Sequence, residues 1–393
     1  MEGLWWDATV WFLLALIASL ISLRLGISAA LIELILGIVA GNTIHPPITQ
    51  WITFLASVGA VVLTFLAGAE LETEVVKRYW KESLVLGLVG FFSPFIGAWL
   101  IAQYLLGWSM PQAQLAGIAL STTSVAVVYA VMVETGLNET DLGKLILAAC
   151  FVNDLGTVIA LGLIFTKLGA TFWVFVAITI VVLFVLPSFT RRYFNYVKNH
   201  PSEPEVKYVL FVLFALGWLA SKAGSEAVLP AYLVGAVLAN LFLANRELVK
   251  RLRASTIAFL TPFYFLKAGS LVDAKAVYAS LGLIVIFFFI KSLTKFLGLY
   301  PAGLIFRFPF RTNMYNTLLV STGLTFGTIS ALYGLNNGII DRTQYSVLVV
   351  AVILSAIIPT LIAQKFFYPK EDSLYMKKPT KEVRYVQEDT SGL

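Results

Sequence analysis

Apolar stretches about 20 residues long, enough to carry an α-helix across a hydrocarbon core of about 30 Å, follow one another along nearly the whole chain. About thirteen recur by that length criterion, centred near Leu14, Ile35, Val61, Gly90, Thr123, Asp154, Ile180, Phe214, Val234, Pro262, Phe288, Thr325 and Val352. In lipid every backbone polar group must be satisfied within the segment, so stretches of this kind fold as helices. Composition agrees: 59% of the 393 residues are hydrophobic and only 13% are charged, far from the values of a soluble domain. The expected fold class is an all-α polytopic membrane protein embedded in a lipid bilayer.

The basic residues set an expected orientation. If the first helix runs inward from outside, the cytoplasmic segments hold Arg24, Lys77, Arg78, Lys81, Lys144, Arg191, Arg192, Lys198, Lys207, Arg246, Lys250, Arg251, Arg253, Arg307, Arg311 and a Lys-rich tail. The opposite side holds Lys167, Lys222, Lys275 and Arg342. That asymmetry predicts a multi-pass protein of the cell membrane with its N-terminus outside and its C-terminus in the cytoplasm. The net charge of +6 is then mostly topology, and no nucleic-acid partner is expected. Glu2 and Asp7 stand where a signal peptide would be basic, so the first apolar stretch reads as a retained helix. Trp5, Trp6, Trp51, Trp80 and Trp108 near span ends read as an interfacial belt.

Enzyme chemistry finds little to work with. Cys150 is the single cysteine and His45 and His200 are the two histidines, so neither a disulfide nor a zinc site has its ligands. Cys150 reads as a packing residue. Two-aspartate intramembrane proteolysis needs a second membrane aspartate, and an HExxH motif and a Ser-His pair are both missing. The expectation is a protein that is not an enzyme and needs no cofactor.

One carboxylate breaks the apolar pattern. Asp154 follows Asn153 within LILAACFVNDLGTVIALGLIF, and a carboxylate at the bilayer centre is costly enough that it normally faces a cavity and handles an ion or a proton. The fifth stretch carries Ser121, Thr122, Thr123 and Ser124 near its middle, and the twelfth carries Ser321, Thr322, Gly323, Thr325, Gly327 and Thr328. These Ser-Thr pairs lie seven helices apart, so the two segments run in opposite directions. That predicts an inverted repeat with two unwound helices, whose freed carbonyls meet a substrate at the midplane. Close packing of small residues is the alternative for each segment alone. At about 1.5 Å per residue, Lys295 lies about 18 Å from Arg307 and Asp154 a similar distance from Lys144, which puts the two at one depth. Lys291, one turn further out, is a second charge partner for Asp154, with snorkelling to the outer interface as its alternative. A dehydrated monovalent cation needs several oxygen ligands. Asp154, supported by Asn153, Thr122, Thr123 or Ser124 and by freed carbonyls, supplies a set in which Asn153 is more a brace than a ligand. One carboxylate holds a cation or a proton, and competition for one site is exchange.

The residues at this point resemble a family, the monovalent cation/proton antiporters, over residues 10 to 364. RLGISAALIELILGIVAGN is similar to its second helix, with Glu33, Gly37 and Gly41. FLAGAELETEVVKR is similar to the end of its third, with Glu70. PFYFLKAGSLV and KFLGLYPAGLIF resemble later helices, and STGLTFGTIS the second unwound helix. Asn153-Asp154 matches the ion-binding motif in the form associated with electroneutral exchange, whereas Lys295 matches a lysine of electrogenic members. The resemblance implies a homodimer in which a mobile core carries the ion by elevator-like alternating access. It implies an antiporter of H+ for Na+, K+ or Li+, with Na+ favoured, and the single titratable carboxylate beside Asn153 predicts 1:1 stoichiometry. A K+/H+ antiporter of the same fold and a sodium-coupled organic-solute symporter are the alternatives.

The implied organisation is helices 1–3 on the dimerisation side (residues 1–82), helices 4–6 as the first half of the core (83–167), helices 7–10 as linker and dimerisation side (168–274), helices 11–13 as the second half of the core (275–366), and a short cytoplasmic tail (367–393). That tail has no room for the nucleotide-sensing domain of regulated relatives. Glu33 and Glu70 read as partners of loop cations, and Lys267 as a snorkelling side chain without a role.

Overall fold

The computed structural model describes residues 2–25, 28–69, 78–137, 140–165, 169–197, 200–225 and 227–369. Among these there are helices and connections but no strands. The helices in chain order are α1 (Glu2–Leu25), α2 (Ala29–Thr43), α3 (Gln50–Ala69), α4 (Trp80–Leu100, continued by a wider turn over Ile101–Leu105), a fifth span broken into α5a (Met110–Ser121) and α5b (Val125–Glu134), and α6 (Asp141–Phe165). They continue as α7 (Ala170–Val197), α8 (Pro204–Lys222), α9 (Val228–Ala244), α10 (Arg246–Ser255, Thr256–Leu260 and Thr261–Ser270 end to end), a short connecting helix (Ala274–Ala279), α11 (Leu281–Ile305), a second broken span α12a (Phe310–Val320) and α12b (Thr325–Asn336), and α13 (Arg342–Phe366). Each of the expected span centres falls inside one of these segments or in its break. Nine stretches among the described residues are long and apolar enough to cross a membrane, with α2 and α9 as shorter apolar helices.

Local chemistry fixes several starts. Ser109 and Gln112 form a capping box at the head of α5a, and Asp341 and Gln344 do so for α13, each satisfying amides that a helix end leaves orphaned.

The inverted repeat is written in reciprocal close approaches. A Cβ on Gly37 of α2 would meet the Leu266 carbonyl of α10, and one on Gly269 of α10 would meet the Leu34 carbonyl. With α2 moved seven helices on and α10 seven back, Gly235 of α9 would meet the Phe65 carbonyl of α3, and Gly68 the Tyr232 carbonyl. The α2–α10 contact is thus the repeat image of α9–α3. The third case joins α4 and α11, where a Cβ on Gly97 would meet the Thr294 side chain and one on Gly298 the Ser93 hydroxyl. Small residues here let backbones touch, which in lipid is the main source of helix association.

Two groups of helices follow from this packing. α2, α3, α9 and α10 form one, with α1 packed on α2 and α7 and α8 on α9; α4, α5a, α6, α11, α12b and α13 form the other. They meet where Tyr232 of α9 stacks on Phe151 of α6 and its hydroxyl donates to the Phe151 carbonyl at 2.7 Å. They meet again where the Tyr345 hydroxyl of α13 donates to the Ala268 carbonyl of α10 at 2.6 Å. Large apolar side chains such as Phe184, Val181, Phe211, Val285 and Phe289 point outward from α7, α8 and α11, as lipid-facing surfaces require.

Candidate ion-binding site at the helix crossing

Both spans rich in hydroxyl groups break at those groups. Residues 122–124 and 322–324 are not helical, and Thr122 turns extended at φ −63°, ψ 154°. The side chains explain part of the ending. Ser121 and Thr122 donate back to the carbonyls of Ile118 (2.8 Å) and Ala119 (3.1 Å), and Ser321 and Thr322 back to Thr317 (2.6 Å) and Leu319 (2.7 Å). Such back-bonds compete with the helix ladder. The breaks lie against one another: a Cβ on Gly327 would stand 2.9 Å from the Ala119 carbonyl and 3.0 Å from the Thr122 hydroxyl oxygen.

Four half-helix ends therefore converge, and buried charges stand at them. Asp154 is buried, and the Thr123 backbone in the first break lies beside its carboxylate. Lys295 is buried and its Nζ donates to the carbonyl of Val320, the last residue of α12a, at 2.9 Å and to the Thr123 hydroxyl at 3.1 Å. Thr123 in turn donates to that same Val320 carbonyl at 2.9 Å. Lys291 is also fully buried and its Nζ donates to the Thr122 carbonyl at 3.3 Å. The two lysines, one turn apart on α11, thus stand at the C-terminal ends of α5a and α12a, where a helix dipole favours cations. Among the described residues no ion pair joins Asp154 to either lysine.

The carboxylate keeps capacity in reserve. Asp154 Oδ1 and both amide atoms of Asn153 have no hydrogen-bond partner among the described residues. The Asn153 amide packs over Gly90 of α4, whose Cβ position would lie 3.0 Å from Nδ2, with Val320 and Leu299 beside it. Ser124 is buried and accepts from the Val127 N–H at 3.5 Å, while Thr325 is half-buried at the head of α12b. Burying polar groups unpaired is expensive, so this set is suited to a guest that brings its own partners.

The sequence reading is brought together in part. Asp154, Asn153, Thr122, Thr123, Lys295 and Lys291 meet at the crossing, and Ser321, Thr322 and Gly323 form the facing break. Lys291 does not snorkel; its nitrogen is spent on a backbone carbonyl inside the protein. Lys267, expected to snorkel, is buried as well. Glu33 does not meet a loop cation: it is buried and its Oε2 has no partner among the described residues, because it lies within α2, a helix packed along α10. Glu70 falls outside the described residues. Cys150 is buried in apolar packing with Leu86 and Leu299, as a packing residue should be.

Other groups escaped the sequence reading. The Val320 carbonyl was invisible because every residue has one. Ser355 of α13 donates to the Gly323 carbonyl at 3.4 Å and to Val352 at 2.7 Å. Asn316 and Thr317 on α12a are buried with unpartnered side-chain atoms, a polar stripe that the spacing within RTNMYNTLLVST could have revealed.

The family of transmembrane sodium/hydrogen exchangers matches residues 12–367. The chain belongs to that family. Exchangers of this kind are multi-pass membrane proteins and transporters rather than enzymes, in keeping with the apolar spans. A relative named probable Na(+)/H(+) antiporter 3, from Methanocaldococcus jannaschii, is 27% identical over 82% of this chain and 86% of its own length. The Na(+)/H(+) antiporter of Enterococcus hirae is 25% identical over 89% and 94% respectively. Among solved structures, the sodium proton antiporter MjNhaP1 from Methanocaldococcus jannaschii superposes with a TM-score of 0.67 at 16% identity, covering 94% of this chain and 100% of that one. That likeness is one of fold.

Proposed function

We propose that this sodium/hydrogen exchanger family member is an antiporter in which a monovalent cation, Na+ in the first place, and H+ compete for the Asp154 carboxylate. The observation that carries this reading is the buried carboxylate oxygen with no partner, set beside two unwound segments whose carbonyls have left the helix ladder. Asp154, freed carbonyls and hydroxyl oxygens of Thr122, Thr123 or Ser124 supply the oxygens that replace a hydration shell. Asn153 braces α6 against Gly90. The relatives' names support the substrates.

In the cycle proposed here, the loaded carboxylate crosses with either ion and the empty anion does not, so one gradient drives the other ion uphill. α4–α6 and α11–α13 move as a core against α1–α3 and α7–α10, which hold a homodimer, and the contact of Tyr232 with Phe151 is one that such sliding breaks. Exchange is 1:1, with the N-terminus outside the cell membrane and the C-terminus in the cytoplasm.

The test is purified protein in proteoliposomes carrying a pH gradient and a pH-sensitive dye. Addition of Na+, Li+ or K+ is expected to collapse the gradient, and the panel separates a Na+ exchanger from a K+ exchanger. Sodium uptake that requires an organic solute and moves no protons would overturn the reading in favour of a symporter.

A further inference from the structure

Lys295 and Lys291 are both fully buried on one face of α11, but they engage different groups. Lys295 donates to the Thr123 hydroxyl, in the part of the break that lies beside Asp154. Lys291 instead donates to the Thr122 carbonyl at 3.3 Å, one of the carbonyls released where α5a ends. A carbonyl of that kind is what a dehydrated monovalent cation seeks.

The facing break is shaped around this ammonium. A Cβ on Gly323 would overlap Lys291 Nζ and would stand 2.9 Å from Thr122 Oγ1 and 3.0 Å from the Thr122 carbonyl oxygen. Glycine at position 323 therefore leaves the space the nitrogen fills. The repeat supplies a comparison within the molecule. The offset that carries Ser93 to Thr294 and Gly97 to Gly298 carries Gly90 to Lys291, and Gly90 offers no side chain beyond its backbone. The architecture closes at this place without an ammonium in one half and with one in the other.

We propose that the Lys291 ammonium is a tethered competitor of the transported cation for the Thr122 carbonyl, and so sets how tightly that cation is held. This rests on the exchange reading above and assigns Lys291 a part in it. A cation seated against Asp154 completes its oxygen shell at Thr122 only when Lys291 Nζ withdraws, and two like charges a few ångströms apart in a low dielectric oppose double occupancy. Lys291 is then a specificity and positioning residue: it competes with the ion and takes no proton from it.

Equilibrium binding of radiolabelled Na+ to purified protein, compared between variants over a pH series that runs from neutral upward, tests this. For Lys291→Met the dissociation constant should fall at least about tenfold, since one repelling charge is gone. Lys291→Arg, which keeps the charge, should bind no more tightly than wild type. Gly323→Ala keeps the lysine but puts a methyl group on its nitrogen's place, and should shift affinity in the same direction as Lys291→Met; if it does not fold, Lys291→Gln takes its role. An unchanged or weakened affinity in monodisperse Lys291→Met overturns the proposal. Wild-type protein that binds no monovalent cation overturns it together with the exchange reading, whereas protein that binds cations but moves no protons overturns the exchange reading alone and leaves the comparison of affinities to decide this one.

Discussion

The hydroxyl of Thr123 donates to the carbonyl of Val320, 2.9 Å away, and so ties the first break to the end of the opposite half-helix. The same hydroxyl accepts from Lys295, and the Thr123 backbone lies beside the Asp154 carboxylate. Acid and base thereby flank one residue of the break without forming an ion pair. Thr123→Val, which keeps shape and removes the hydroxyl, should lower the exchange rate at least about tenfold, because hydrogen bonds to charged groups contribute about 1.5–3 kcal/mol. Thr123→Ser should stay within a few-fold of wild type. Similar rates for the two variants in proteoliposomes would show that the hydroxyl is incidental.

Asp154 is the carboxylate on which both ions are proposed to meet. Asp154→Asn preserves size and hydrogen bonding but cannot carry a cation as a carboxylate does or give up a proton. It should abolish cation-driven proton movement while the variant still inserts and melts near the wild-type temperature. Substantial exchange by that variant, at verified protein content, would sink the assignment.

Much of the fold was legible because the bilayer leaves few options. Helix number, helix centres and the repeat of broken spans followed from apolar length and from Ser-Thr pairs seven helices apart. The site was legible where it depends on side chains out of place, as at Asp154, Lys295 and Thr122. It was not legible where backbone does the work: the Val320 and Thr122 carbonyls carry the lysines, yet Val320 looks like any apolar residue. The choice between the two readings of Lys291 was open for a related reason. Depth along α11 was readable from the chain, but the facing gap at Gly323 that gives its nitrogen a place inside depends on how two breaks cross.

The two lysines should differ in their contribution to stability. Lys295 donates to the Val320 carbonyl and to Thr123, whereas Lys291 has the longer bond to Thr122. Removing one partner of a buried charged network leaves the rest uncompensated and costs several kcal/mol. Lys295→Ala should therefore lower the melting temperature in detergent by several degrees, and Lys291→Ala by less. Equal shifts, or none at Lys295, would count against the network.

The reciprocal glycines predict a sharper contrast. A Cβ on Gly235 would run into the Phe65 carbonyl and one on Gly269 into the Leu34 carbonyl, both backbone atoms that cannot turn aside. Gly235→Ala or Gly269→Ala should destabilise the protein by about 1–3 kcal/mol or more, the usual cost of overpacking. Gly282 on α11 meets nothing within 4 Å, so Gly282→Ala should be neutral or slightly stabilising through helix propensity. Thermal melts of the three variants check this, and a tolerated alanine at position 235 would mean that α3 and α9 can part.

The stoichiometry turns on what Lys295 does when the cation arrives. One titratable carboxylate, with Asn153 in place of a second acid, exchanges one proton for one monovalent cation and moves no net charge. An electrogenic cycle would need a second proton, which Lys295 could supply if cation binding drove it off the carboxylate. Among the described residues Lys295 is not ion-paired with Asp154. It is held by the Val320 carbonyl at the end of α12a and by the Thr123 hydroxyl, so a cation reaching Asp154 has no ion pair to break and the ammonium keeps its acceptors. Exchange should then follow the two ion gradients and ignore an imposed voltage. The measurement is the rate and end point of proton movement in proteoliposomes clamped with K+ and valinomycin at several membrane potentials, with Na+ as the transported ion. Flat rates across the series fit a 1:1 cycle; an end point that tracks the voltage would mean that Lys295 releases its proton on each turn and that the Asn153-Asp154 pair does not set the charge balance.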